Sequence, residues 1–329
     1  MKKSYYCEKL EKTLHFLPDE IKFCCSCAEG LGVKIDDFTK IDKNKILKTQ
    51  KKYVQQLKNG IIPPQCAGCN EIKEQEFKKE NFFEKFFKKR KTEIVSHVIV
   101  DHYRQCDCNC IYCSQKILYP NVTQNYELLP IIKQLYKQNI FSLNNLTVEF
   151  QGGNISLLKE FNNIVNEFQL QGCKEFIFIS NMIKNMPELQ QISSVIDSYL
   201  CVSLDSGKEE TFKKIKGLDA FNSVIQNIRE LASNSKIKLK LKYIILQGLN
   251  DNWDELRCFL EFAKSLQQID SVILTIDYRD TFMPKEKRFY VPQHYYQLFE
   301  MAENYCKENL LPFYTFEHTK AVLNAGYAD

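Results

Sequence analysis

The sequence predicts an α/β fold in which a partial parallel barrel of six βα units follows a small cysteine-rich module. From about residue 92 onward, short runs rich in β-branched and aromatic residues alternate with amphipathic segments, which is typical of a βα repeat. Before residue 92 the chain is irregular and holds six of its 14 cysteines. We therefore predict two domains: a cysteine-rich metal-binding module with a connecting helix over 1–91, and a barrel with a C-terminal helical extension over 92–329.

The composition excludes several classes of protein. With 329 residues, of which 44% are hydrophobic and 26% charged, the chain is an ordinary globular protein and neither disordered nor fibrous. Its formal charge of +4 is spread over lysines that are interleaved with acids, so we expect no nucleic-acid partner. No apolar run reaches the roughly 18 residues that cross a bilayer, and the first residues lack the apolar segment of a signal peptide. We therefore expect a cytoplasmic protein with no membrane partner.

The N-terminal module begins with irregular segments that surround one helix, predicted over residues 42–58. Residues 61–64 then lead into Cys66-Ala67-Gly68-Cys69. The charged stretch 71–91 carries phenylalanines at nearly helical spacing and is predicted to be a connecting helix whose aromatic stripe faces the barrel.

The barrel elements follow in order along the chain. Strands are predicted over Ile94–Asp101, Leu146–Gln151, Glu175–Ser180, Tyr199–Leu204, Leu239–Leu246 and Val272–Tyr278. Helices are predicted over Asn125–Lys137, Ser156–Phe168, Lys208–Ile215, Ala220–Leu231 and Asn252–Ser265. Six such units indicate an incomplete parallel barrel, and in folds of this kind the loops at the carboxyl ends of the strands carry the chemistry.

The cysteines indicate metal binding. Cytosolic thiols are kept reduced, so a disulfide framework is not expected, and the scattered Cys173, Cys201, Cys258 and Cys306 are predicted to be buried apolar residues. In contrast, four thiols lie within the eight residues from position 106 to position 113. A tetrahedral zinc site would use all four, whereas an iron-sulfur cluster held by three would keep one iron open.

The run contains Cys106-x-x-x-Cys110-x-x-Cys113 with Tyr112 before the last thiol, directly after the first predicted barrel strand. In this form it resembles the motif of the radical S-adenosylmethionine (SAM) superfamily. The resemblance implies that these three thiolates hold a [4Fe-4S] cluster whose fourth iron binds the amino and carboxylate groups of SAM. It also implies that a reductant such as flavodoxin or ferredoxin supplies an electron, and that SAM is cleaved to a 5'-deoxyadenosyl radical. Cys108 is an extra thiol outside this pattern, and a zinc site that uses all four stays open.

Two later strand ends add to the resemblance. Gly152-Gly153-Asn154 is similar to the superfamily's Gly-Gly-Glu motif, whose backbone and carboxylate receive the amino group of SAM. Glycines allow a ligand to approach the backbone closely, but Asn154 lacks the carboxylate, so that contact is predicted to be weaker or moved. Asn181 lies in a segment that resembles the Thr-Asn-Gly stretch that lines the SAM pocket.

The fourth and fifth strands supply further candidates for cofactor binding. Ser203 and Asp205 resemble the residues that contact the ribose and methionyl portions of SAM, although Asp205 also fits the N-cap of the following helix. Lys240 and Lys242 share one face of the fifth strand. If that face is the barrel interior, their ammonium groups meet a carboxylate of SAM or of the substrate, and if it is the outer face they are solvated.

The N-terminal cysteines resemble a SPASM-type module, which holds auxiliary [4Fe-4S] clusters. The thiols suffice for one four-ligand cluster, predicted to use Cys7, Cys25, Cys66 and Cys69, with Cys24 and Cys27 able to substitute. A structural zinc site would use the same residues and stays open.

Together these resemblances imply a radical SAM enzyme that abstracts hydrogen from a peptide, protein or sugar-like substrate, for oxidation or rearrangement with the help of the auxiliary cluster. Candidate hydrogen or proton donors near the site are Tyr103, Cys108 and Tyr278, together with His102. The alternatives are a non-catalytic zinc-binding scaffold and an iron-sulfur electron carrier.

Overall fold

A computed structural model describes residues 3–24, 30–34, 42–67, 69, 71–75, 95–113, 115–116, 126–142, 144–277 and 291–324. The chain divides into two compact units. The first comprises Met1–Gln105, Asn121–Gly153 and Leu158–Phe176, and the second comprises Cys106–Pro120, Asn154–Leu157 and Ile177–Asp329. The predicted boundary at residue 91 stays a prediction.

The first unit contains seven strands and four helices among its described residues. The strands are β1 (Ser4–Tyr6), β2 (Thr13–Phe16), β3 (Glu20–Lys22), β4 (Gly32–Lys34), β5 (Lys73–Gln75), β6 (His97–Val100) and β7 (Thr147–Phe150). The helices are α1 (Glu8–Lys12), α2 (Lys43–Lys58), α3 (Leu129–Lys137) and α4 (Phe161–Leu170), and a 3₁₀ turn spans Pro64–Cys66.

Strand β8 (Glu175–Ser180) begins in the first unit and ends in the second. The second unit continues with α5 (Glu188–Val195), β9 (Asp197–Ser203), α6 (Glu209–Lys216), α7 (Phe221–Asn234), β10 (Lys238–Ile245), α8 (Trp253–Lys264), β11 (Ser271–Ile276), α9 (Gln293–Glu308), β12 (Phe313–Tyr314) and α10 (Glu317–Asn324). A 3₁₀ turn at Ile155–Leu157 also belongs to this unit. Strands β6 to β11 therefore alternate with helices along the chain, and the α/β fold class is as predicted.

In the first unit, β6 pairs in parallel with both β7 and β2. Strands β3 and β4 extend the sheet beyond β2 with antiparallel pairing, and β1 pairs with β5 in a separate two-stranded sheet. The core packs against α4 through the rings of Phe150 and Phe161, whose centroids lie 5.3 Å apart. A strand from the N-terminal module thus lies beside the first predicted barrel strand.

In the second unit, β10 pairs in parallel with β9 and β11, and β12 pairs in parallel with β11. Alternate residues of β10 are buried, and Tyr243 packs on Phe259 of α8 with ring centroids 5.0 Å apart. The face of β10 that carries Leu239, Leu241 and Tyr243 is therefore the face covered by α8. Within the described residues, no helix combines the length and apolar character that crossing a bilayer requires.

The structure moves several predicted boundaries. The helix predicted over 156–168 begins as α4 at Phe161, because the amide of Leu157 donates to the carbonyl of Asn154 (2.9 Å) and closes a separate 3₁₀ turn first. Residues 73–75, predicted to be helical, form β5 because they pair with β1. Most of the remaining connecting helix, with its phenylalanines, lies outside the described residues.

Candidate functional site

The cysteine run forms a tight loop in the second unit. The amide of Cys108 donates to Sγ of Cys106 (3.4 Å), and the amide of Cys113 donates to the carbonyl of Cys110 (3.2 Å). Cys106 is exposed, Cys108 is buried, and Cys110 and Cys113 are half-buried. Among the described residues, one group of three potential metal ligands has all its ligand atoms within 4.8 Å of one another, and it consists of Cys106, Asp107 and Cys108.

The thiols of this loop differ in acidity. The Cys108 thiol donates to both neighbours, and these hydrogen bonds are the main reason that the pKa of Cys106 falls to about 7 and the pKa of Cys110 to about 6. The pKa of Cys108 is raised, first by the same hydrogen bonds and then by burial. Since metals bind the thiolate, the lowered pKa favours Cys106 and Cys110 as ligands.

A buried polar cluster supports the loop. The Lys216 ammonium donates to the Tyr112 hydroxyl (2.7 Å) and to Oδ2 of Asp205 (2.5 Å), and the Tyr112 hydroxyl donates to that same oxygen. The side chains of Lys216 and Asp205 are 2% and 0% exposed. Burial lowers the pKa of Lys216, but the charges of Asp205 and Cys110 outweigh it, so the pKa is raised and the ammonium stays charged.

Backbone contacts attach the loop to the end of α6. The amide of Asn109 donates to the carbonyl of Lys216 (2.8 Å), and the amide of Ile111 donates to the carbonyl of Ile215 (3.1 Å). Gly217 ends the helix with φ +72°, and a Cβ there would lie 2.9 Å from Cβ of Asn109. The carbonyls left free at the C-terminus of α6 therefore accept hydrogen bonds from the cysteine loop.

Asp205 is fully engaged inside the protein. Its Oδ1 accepts from the amide of Ile244 (2.9 Å), and its carbonyl accepts from Nδ2 of Asn250 (2.8 Å). Asp205 is not the N-cap of α6, and the amide of Thr211 in the first turn of that helix is not its partner. Helix α6 begins after Lys208, whose backbone is extended and whose side chain forms no cap hydrogen bond. The predicted contact of Asp205 with SAM stays a prediction, and the residue has a structural role that the sequence did not indicate.

Two asparagine side chains surround Asp107. Nδ2 of Asn154 lies 3.1 Å from Oδ1 and 3.2 Å from Oδ2 of Asp107, and Nδ2 of Asn181 lies 2.6 Å from Oδ1. Nδ2 of Asn181 also contacts Sγ of Cys108 at 3.2 Å. The structure therefore brings Asn154 and Asn181 to the cysteine loop, as expected for residues of one site.

Ser203 and Lys242 are partners in the β9 and β10 register. Lys242 alternates with Tyr243, so it lies on the face of β10 that is turned away from α8. On this face Lys240 forms an ion pair with Asp270 at 3.5 Å, whereas the side chain of Lys242 forms no hydrogen bond or ion pair with any described residue. Lys240 and Lys242 therefore lie on the face of β10 that α8 does not cover.

The glycine pair lies in the first unit, where it packs against the backbone that precedes the cysteine run. A Cβ on Gly153 would lie 2.2 Å from the carbonyl oxygen of Gln105, and a Cβ on Gly152, with φ +107°, would lie 2.3 Å from Oδ1 of Asp101. Only glycine fits at either position.

Asp101 follows β6, and its two carboxylate oxygens contact the side chains of His15 and Arg104. Its Oδ2 lies 2.8 Å from Nε2 of His15, and its Oδ1 accepts from Arg104. Of the predicted donors, Tyr103 is 1% exposed and His102 is fully buried, with Nε2 of His102 lying 3.0 Å from Glu160. Tyr278 lies outside the described residues, and the catalytic roles of Tyr103, Cys108 and Tyr278 stay predictions.

The N-terminal cysteines are mostly buried. Cys7, Cys24 and Cys66 are buried and Cys69 is half-buried, while the predicted ligand Cys25 and the spare Cys27 lie outside the described residues. Burial, followed by the negative charges of Cys24 and Cys69, raises the pKa of Cys7. Cys24 thus belongs to the same group as Cys7 and Cys69, and the second metal site stays a prediction.

Comparison with known proteins identifies sequence relatives that cover part of the chain. No protein-family model matches the chain. A GTP 3',8-cyclase of Clostridium botulinum is 23% identical over 176 residues, which are 52% of this chain and 53% of the relative. A probable GTP 3',8-cyclase of Saccharolobus islandicus is 24% identical over 164 residues, which are 49% of this chain and 50% of the relative. The chain spans about half the length of the curated relatives it matches.

Solved structures share the fold. Streptococcus suis SuiB bound to its precursor peptide SuiA aligns with a TM-score of 0.56 at 16% identity, over 85% of this chain and 65% of SuiB. Native anSMEcpe with bound AdoMet aligns with a TM-score of 0.50 at 14% identity, over 66% of this chain and 63% of that chain. These proteins and the GTP 3',8-cyclases are radical SAM enzymes. The chain resembles radical SAM enzymes in sequence over about half of its length and shares their fold. The resemblance to this superfamily and the predicted partial barrel are confirmed.

The residues of the cysteine loop fit the cofactors of the radical SAM superfamily. Iron-sulfur clusters take thiolate ligands, and the loop offers two cysteines of lowered pKa in Cys106 and Cys110. The carboxylate of Asp107 lies directly beside them in the chain. In the first unit, the space that a Cβ would fill at the glycine pair is taken by Gln105 and Asp101.

The sequence patterns did not predict that Asp107 and Lys216 belong to the site. The position of Asp107 between two thiols of the run was a usable signal. Lys216 gave none, because a lysine at the end of a charged amphipathic helix is normally solvent-exposed.

Proposed function

We propose that the chain is an enzyme that reductively cleaves SAM at a [4Fe-4S] cluster held by Cys106, Cys110 and Cys113. The observation that carries this proposal is the spacing Cys106-x-x-x-Cys110-x-x-Cys113, which supplies three thiolate ligands and leaves one iron of a [4Fe-4S] cluster open. The lowered pKa of Cys106 and of Cys110 favours the thiolate form that binds iron. The chemistry that the bound cofactors would supply is transfer of one electron to SAM, release of methionine, and removal of a hydrogen atom from substrate with formation of 5'-deoxyadenosine.

The protein's own residues hold and surround this site. Lys216, Asp205 and Tyr112 fix the loop to α6, so that the thiols keep their spacing without solvent entering behind them. Ser203 and Lys242 lie on the uncovered face at the carboxyl half of neighbouring strands, where a hydroxyl and an ammonium group are available for ligands.

The test is anaerobic reconstitution with iron and sulfide, followed by reduction in the presence of SAM and chromatography for 5'-deoxyadenosine. The wild type should bind iron and form this product. Single Ala variants of Cys106, Cys110 and Cys113 should bind less iron and form none, whereas Cys258→Ala, a half-buried cysteine on α8, should behave as the wild type. Bound zinc without iron uptake would contradict the proposal in favour of a zinc-binding scaffold. An intact cluster without 5'-deoxyadenosine would favour an electron carrier.

For the substrate, we propose a sugar-like molecule such as the ribose of a nucleotide, rather than a peptide. The support is that the relatives reported above are named GTP 3',8-cyclases, and that the ammonium group of Lys242, which suits an anionic ligand, has no partner among the residues that the structure describes. When the reconstituted enzyme is incubated with SAM and GTP, the amount of GTP consumed should keep a fixed ratio to the amount of 5'-deoxyadenosine formed. If GTP and other nucleotides neither bind nor react while peptides do, the peptide alternative is correct.

The N-terminal cysteines are proposed to hold a second cluster that exchanges an electron with the substrate or with the first cluster. Cys7, Cys66 and Cys69 would be three of its ligands, and the fourth would be Cys25, for which Cys24 or Cys27 could substitute. We also propose that a reductant such as flavodoxin or ferredoxin supplies the electron. The protein is proposed to act in the cytoplasm.

A further inference from the structure

The cysteine loop carries a carboxylate, Asp107, that is held by side-chain amides. Both of its oxygens lie within 3.2 Å of Nδ2 of Asn154, and Nδ2 of Asn181 lies 2.6 Å from one of them. The two amide donors fix the orientation of the carboxylate. They come from the segments that follow the second and third predicted barrel strands.

The amides themselves are held in place. The Ser180 hydroxyl donates to Oδ1 of Asn154 (3.2 Å), and Nδ2 of Asn154 also contacts the hydroxyl of Ser156 (2.7 Å). Oδ1 of Asn181 accepts from the amide of Ile183 (3.1 Å). Asn154 is 2% exposed, so its amide is a built part of the site rather than a surface group. Each asparagine therefore presents its donor, and not its acceptor, to Asp107.

Asp107 has no cationic partner in the described part of the chain. Its neighbours there are two neutral amides and two thiols, and it is only half-buried. A carboxylate that is fixed by neutral donors can accept a further hydrogen bond from an N–H group of a ligand. An amino group fits, because its nitrogen can bind iron while its N–H groups donate to the carboxylate.

We propose that Asp107 is the carboxylate that receives the amino group of SAM, and that Asn154 and Asn181 orient it. The superfamily motif places this carboxylate at the position of Asn154, which here carries no charge. In this chain the side chain of Asn154 contacts the carboxylate of Asp107, which lies on the cysteine loop. The carboxylate is therefore present at the site but belongs to a different residue. This inference rests on the proposed function, since it requires SAM to bind at the loop.

The test uses Asp107→Asn, the exchanged double variant Asp107→Asn/Asn154→Asp, and Asp219→Asn as a control at an exposed carboxylate paired with Lys213. Each reconstituted protein is assayed for iron content and for SAM affinity by equilibrium dialysis. Asp107→Asn should keep its iron and bind SAM about 10- to 100-fold more weakly, as expected for the loss of one charge-assisted hydrogen bond. The double variant should recover most of this affinity, because its amide and carboxylate have only changed places, and the control should match the wild type.

A second measurement compares SAM with its deaminated analogue, in which a keto group replaces the amino group. The wild type should prefer SAM, and this preference should be smaller in Asp107→Asn by the share that the Asp107 contact contributes, even if the overall stability of the variant has changed. Equal SAM affinity in the wild type and Asp107→Asn would overturn the assignment, as would loss of iron from Asp107→Asn, which would make Asp107 a metal ligand. A wild type that takes up iron without binding SAM, or takes up none, would instead contradict the proposed function.

Discussion

Replacement of Lys216 by Met is expected to destabilise the cysteine loop severely. The substitution removes an ammonium group that is 2% exposed and leaves the carboxylate of Asp205, which is 0% exposed, without its cationic partner. Removal of one partner from a buried ion pair costs about 3–5 kcal/mol, since the remaining charge stays desolvated. With a urea dependence of about 3 kcal/mol per M for a chain of this size, the unfolding midpoint should fall by roughly 1–1.7 M.

The assay is urea unfolding followed by circular dichroism, with iron uptake measured on the same preparations. Lys213→Met is the matched control, because Lys213 lies on the same helix with its side chain 58% exposed and paired with an exposed Asp219. It should leave the urea midpoint close to that of the wild type, because exposed ion pairs contribute little to stability. The double variant Lys216→Met/Asp205→Asn should be more stable than Lys216→Met alone, since no buried charge is left unpaired. A Lys216→Met protein as stable as Lys213→Met would refute the reasoning.

Three further predictions concern other parts of the chain. Gly153→Ala should lower the free energy of unfolding by about 1–3 kcal/mol in urea titrations, because its Cβ would meet the backbone carbonyl of Gln105 at 2.2 Å. Burial raises the pKa of Glu160, but hydrogen bonds from His102 and two backbone amides outweigh it, so the pKa lies below its ordinary value. Wild type should therefore exceed Glu160→Gln in thermal stability near neutral pH, and the difference should disappear as the pH falls through the lowered pKa. A double Ala variant at Cys66 and Cys69 should lose only the iron of the second site and still form 5'-deoxyadenosine without product, and full product formation would show that the module is structural.

The sequence predicted the regular elements of the barrel well, because their signals are local. Strand β8 has the predicted bounds Glu175–Ser180, and α2 begins directly after Asp42, whose side chain accepts from the amide of Asn44 at 2.8 Å. Alternating burial and an N-cap residue are both visible within a few neighbouring positions.

The features that were missed depend on partners distant in the chain. Strand β1 exists because it pairs with β5, about 70 residues later, and three residues carry no periodicity that could reveal this. Lys216 is buried because Asp205 and Tyr112 meet it, and its own segment resembles any charged helix. The candidate ligands were found from spacing, whereas the residues that hold them were visible only in three dimensions.

The parallel pairing of β2 with β6 has a consequence for biosynthesis. Phe16 is followed by 81 residues before Val98 is added, so at about 5–20 residues per second β2 leaves the ribosome roughly 4–16 s before its neighbour is complete. During that interval one edge of β2 lacks its partner, and unpaired strand edges are prone to join other chains. The nascent chain therefore passes through a stage at which a chaperone that shields strand edges would raise the yield of folded protein.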